Sequence, residues 1–82
     1  MEIKRLTNED IQKLRAGMIV YAAEDIHLII GKVPIGTRGK ISLVVRGSHF
    51  MGAHVTFDNG IKTTNPMPVN FLTREKSVKK EG

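Results

Sequence analysis

Two different periods of apolar residues run through this chain. Leu6, Ile11 and Leu14 recur near the start at spacings that suit one side of a helix. From residue 18 onward the apolar positions fall in short runs and every-other-residue series, the signature of strands. The spacing predicts a short helix over residues 7–16. Thr7 is placed to cap it, and Asn8, Glu9 and Asp10 put acidic groups in the first turn, where the helix dipole favours them. Asp10, three residues after Thr7, completes an approximate capping box. Leu6 and Ile11 have the spacing of a hydrophobic staple. Gly17 suits the C-terminal cap. A helix this short needs the rest of the domain to lie against.

Residues 18–22 read as a buried strand. Residues 24–37 hold the apolar run 26–30 but also Gly31, Pro34 and Gly36, and are expected to form a long excursion with hairpin-like arms. Residues 38–46 alternate, with Ile41, Leu43 and Val45 expected inward. Residues 47–52 read as a loop. Residues 53–58 alternate again, with Val55 and Phe57 inward. Asn59-Gly60 predicts a tight type I′ hairpin, and residues 61–64 pair back. Pro66 and Pro68 cannot donate to a ladder, so the strand stops before them. A helical turn over residues 68–70 and a last strand over 71–74 complete the series. Three parts follow: residues 1–16 as a helix packed on the strands, 17–74 as the strand domain, and 75–82 as a polar tail.

Five short strands, a long first loop, a medium second loop, a tight third turn and a one-turn helix before the last strand predict an all-β, five-stranded SH3-like barrel with a short N-terminal α-helix. Tyr21 and the segment Pro68-Val69-Asn70-Phe71-Leu72 resemble the strand-one aromatic and the Pro-Ser-Asn-Tyr-Val segment of SH3 domains. Gly36-Thr37-Arg38-Gly39-Lys40-Ile41 resembles the Gly-x-x-Gly-x-Val core of KOW-type barrels. Over residues 17–74 the chain is similar to small phage and bacterial SH3-like domains of unassigned role. These motifs are short and turn-driven, so they speak to fold more than to function.

Composition sets bounds on function. At 82 residues with 40% hydrophobic and 26% charged residues, one small domain is expected. The absence of cysteine excludes disulfides and thiolate zinc sites. No apolar stretch approaches the roughly 20 residues of a membrane helix, and Met1-Glu2-Ile3-Lys4-Arg5 does not open like a secretory signal. A cytoplasmic setting is the expectation. The net charge of +5 is spread thinly along the chain, which implies weak attraction to polyanions rather than a dedicated DNA-binding stripe.

The side chains left over point to binding rather than catalysis. Ser48 and His49 are adjacent, a poor geometry for a nucleophile and its base. His27, His49 and His54 do not form a metal-ligand pattern, so no metal and no cofactor are expected. The SH3 resemblance implies a proline-rich peptide groove, but this chain lacks the tryptophan that opens the third SH3 strand, which argues against that ligand. Phe50 and Met51, bracketed by Gly47 and Gly52, read as partner-binding anchors or as a lid on the barrel, with His49 and Tyr21 beside them. Arg38, Lys40, Arg46 and Lys62 read as a polar rim. The KOW resemblance implies that such a face could contact RNA or DNA. The expected function is a small non-catalytic binding module, a phage or bacterial adaptor or inhibitor docking on a protein or nucleoprotein complex. Nucleic-acid binding is the alternative, and an oligomeric SH3-like enzyme the distant one. The expected state is a monomer or small homo-oligomer.

Overall fold

The computed structural model describes residues 4–47, 51–63 and 65–75, and the chain there is all-β. Its strands are β1 (Ile19–Ala22), β2 (Ile26–Leu28), β3 (Gly31–Val33), β4 (Arg38–Arg46), β5 (Met51–Phe57) and β6 (Leu72–Thr73). Four of them form one antiparallel sheet in the order β5-β4-β1-β6, while β2 and β3 form a separate two-stranded ribbon. The nine-residue β4 is long enough to pair with β1 through residues 38–40 and with β5 along its length. The far edge of β5 is met by the returning chain at two isolated bridges, Thr56 with Lys62 and Ala53 with Met67. That chain then crosses to the far edge of β1 as β6. The sheet therefore curls around one core.

The core is built from the inward positions of the strands, including Val20, Ala22, Ile41, Val55, Phe57 and Leu72, each at most 2% exposed. Burying a side chain such as Phe57 contributes about 1.5–3 kcal/mol. Leu6, Ile11 and Leu14 join the same cluster, so the staple residues reach the core as predicted. Their segment is not an α-helix, however. It is a four-residue 3₁₀ turn, Asp10–Lys13. Thr7 does not cap it through its hydroxyl. Instead the Asp10 carboxylate accepts from the Thr7 N–H at 2.8 Å and the Thr7 hydroxyl at 3.1 Å. Arg15-Ala16-Gly17 offers no further apolar position to bury, so a longer helix would gain nothing.

Three strand expectations change on contact with the structure. The register of β4 against β5 shifts between Ile41 and Leu43. The extra residue, Ser42, flips the faces beyond it. Ile41 is 1% exposed, Leu43 lies 54% exposed, and Val44 packs on the core instead. The turn after β5 is not type I′. Asn59 keeps a negative φ and only Gly60 (φ 93°) is left-handed, with the Gly60 N–H donating to the Phe57 carbonyl at 3.0 Å. Asp58-Asn59-Gly60 is thus a three-residue loop. Gly39, expected as a turn residue from its place in the glycine-bearing segment Gly36-Thr37-Arg38-Gly39, is a strand residue. It lies opposite Phe57, and a Cβ there would sit 2.6 Å from a Val55 methyl and 2.9 Å from the Phe57 ring.

The excursion over residues 24–37 does form hairpin arms, β2 and β3, joined at Ile29-Ile30. The ribbon is supported from behind by the loop after β5. Asn59 Nδ2 donates to the Lys32 carbonyl at 3.1 Å, and the bare Gly31 lets the Ile61 side chain lie close to the β3 backbone. A 3₁₀ turn, Val69–Phe71, precedes β6, one residue later than expected.

Candidate docking groove

Opposite that support, the ribbon stands away from the segment 63–71 and leaves a groove of about 500 Å³. Its base is fixed by three sets of contacts. The Ala23 N–H donates to the Phe71 carbonyl at 2.8 Å. Asp25 Oδ1 accepts from the Ile35 N–H at 2.8 Å, which closes the foot of the ribbon. The Arg5 guanidinium pairs with Glu24 and also donates to the Asn70 carbonyl at 3.1 Å, joining the two walls at one end. One wall is residues 24–30. The other is Thr63, Asn65, Pro66, Met67, Pro68 and Phe71.

The chemistry of the groove is apolar at the tip and acidic at the foot. Ile29 is fully exposed (105%) and Ile30 is 55% exposed. Met67 is buried in the opposite wall and Phe71 there is half-buried. Pro66 and Pro68 keep their side of the groove free of backbone donors at those positions. Among the described residues, Glu24 and Asp25 are the charged side chains that line it, and Arg5 pairs with Glu24 at its end. An apolar trough with few polar groups is the ordinary form of a ligand site.

The predicted site residues that are described fall elsewhere. His49 and Phe50 lie outside the described residues. Met51 is not a loop anchor. It is the first residue of β5, paired with Arg46 and half-buried against the core, because the strand begins two residues earlier than its alternation shows. Tyr21 does not share the groove with Phe71. It sits on the outward side of β1, opposite Arg38 and Thr73.

The basic residues are partly brought together. Cross-strand pairing sets Ile19, Lys40, Thr56 and Lys62 in one row on the outward side of the sheet, with Arg38 two residues from Lys40. Arg38 pairs with Asp58 at 3.3 Å in an exposed contact that counts for little in water. Arg46 stands apart, its guanidinium donating to the Leu14 carbonyl at 2.9 Å and holding the N-terminal turn to the end of β4. His54 is half-buried, with Nδ1 3.3 Å from the Thr63 carbonyl. Among the described residues, no three His, Cys, Asp or Glu side chains come together as metal ligands would.

Ile29 and Ile30 were the residues that pattern reading missed. The signal was an apolar run over residues 26–30 longer than two three-residue arms can bury, with the turn placed inside it and no turn-forming residue to mark the spot. No family model matches the chain, and neither a curated protein nor a solved structure does.

Proposed function

We propose that the chain is an SH3-like barrel serving as a small non-catalytic binding module, an adaptor or inhibitor that captures a segment of another protein in the groove along β2. The order of the elements supports the fold reading: strand, hairpin excursion, long strand, strand, tight loop, return segment, 3₁₀ turn, strand. The observation that carries the functional reading is the fully exposed Ile29 beside Ile30 at the rim of an apolar groove. Two isoleucines at a hairpin turn cost solubility and contribute no core packing, so an intermolecular role accounts for them. The anchors in this reading are Ile29, Ile30 and Phe71.

Changing Ile29 and Ile30 together to Asp tests this. Thermal or urea unfolding should move by less than about 0.5 kcal/mol, because neither residue is buried. Capture of the native partner, measured with the purified pair, should fall at least tenfold. A variant that still captures its partner at full strength removes the groove from the function.

A second reading is favoured by one observation, the row of Lys40, Thr56 and Lys62. Neither lysine has an ion-pair partner among the described residues, and strand spacing sets them about 10 Å apart across the sheet. Such a row suits the phosphates of a nucleic-acid strand.

A further inference from the structure

We infer that the groove takes its guest as an added β-strand lying along β2, an inference that rests on the groove being the docking site. The Lys32 carbonyl is taken by Asn59 Nδ2 at 3.1 Å, on the side of β3 away from β2. In an antiparallel ribbon the N–H and C=O of one residue point to the same side, and directly opposed residues either face one another or both face away. His27 is the residue opposed to Lys32, so its N–H and C=O point out of the ribbon from the β2 edge. That edge is the one lining the groove, since its wall includes residues 26–28 and none of 31–33. No other segment among the described residues bonds to the His27 backbone.

The guest's chemistry follows from the pleat. In an antiparallel pairing, a guest residue opposite His27 exchanges two backbone hydrogen bonds with it and turns its side chain outward beside the exposed imidazole. The guest residues on either side stand opposite Ile26 and Leu28 and share their inward face, toward Met67 and Phe71. Those two positions call for apolar, preferably β-branched residues. The guest is therefore an extended protein segment whose residues along β2 read apolar, polar, apolar.

A displayed library of random dodecapeptides, selected on the full chain with counter-selection on the Ile29→Asp, Ile30→Asp variant, provides the test. Enriched peptides should carry an alternating triplet with β-branched outer residues and should lack proline within it. Resynthesised with one N-methyl group on the central residue of the triplet, they should bind about tenfold more weakly, the effect of losing one backbone hydrogen bond at a desolvated edge. N-methylation of either neighbour, whose N–H points away from β2, should change affinity less than threefold. Enrichment of proline-rich or helical peptides, or indifference to the central N-methyl group, overturns strand addition and leaves the groove as a docking site. A selection that enriches nothing over the double variant overturns both.

Discussion

Thr63 shows how one side chain can replace a piece of ladder. Its N–H donates to the Val55 carbonyl at 3.0 Å, while its hydroxyl, rather than a backbone carbonyl, accepts from the Val55 N–H at 2.9 Å. The returning chain needs this because Pro66 and Pro68 interrupt its pairing with β5, so few backbone bonds hold it there. Thr63→Val keeps the volume but leaves a buried N–H without an acceptor, at a cost of about 1–3 kcal/mol in urea unfolding. Thr63→Ser should recover most of that loss. Equal stability of the Val variant and the parent would show that the hydroxyl does not fill this role. None of this was legible in the sequence, where Thr63 read only as part of a segment, residues 61–64, that pairs back. Gly39 was hidden in the same way. Its motif suggested a turn, while its physical purpose is to let Val55 and Phe57 close over the β4 backbone.

Elements were readable where a local period and a burial partner agreed. β5 follows its alternation, with Val55 and Phe57 inward, and the one-turn helix before the last strand lies within a residue of its expected place. The short α-helix failed because residues 7–16 supply only Ile11 and Leu14 to bury, which one 3₁₀ turn and the chain after it already achieve. β4 failed halfway, since no residue type announces a bulge and Ser42 alternates as well as any other. What fixes the N-terminal turn is the Asp10 carboxylate. Hydrogen bonds from the Thr7 backbone N–H and then from its hydroxyl hold the Asp10 pKa below the usual aspartate value, with Lys13 and Lys4 assisting. A carboxyl whose folded pKa is lowered adds stability above its unfolded value, about 4, and loses it as pH falls through the folded one. Asp10→Asn should therefore lower the melting temperature at pH 7, and the gap from the parent should narrow as both are unfolded at pH 4, 3 and below. A gap independent of pH would show that the carboxylate charge is not what holds the turn.

At the scale of the molecule, the curled sheet separates two surfaces. The apolar and acidic groove lies along β2, and the Lys40–Thr56–Lys62 row lies on the outward side of β4 and β5. A chain of 82 residues folded this tightly, with a radius of gyration of 11.8 Å against about 12 Å expected for its length, has little room to couple them. Lys40→Glu with Lys62→Glu should thus leave groove binding intact while weakening association with a 20-nucleotide single strand in fluorescence anisotropy. The slope of log affinity against log salt should lose about 0.7 for each phosphate contact removed. Unchanged oligonucleotide binding would retire the nucleic-acid reading. The support behind the ribbon has a different consequence. Asn59 and Ile61 bear on Lys32 and Gly31 from the side remote from any guest, so they act as a doorstop that sets how far that wall stands from the other. Drift in those two positions could retune which guests are admitted while every residue in the trough stayed the same.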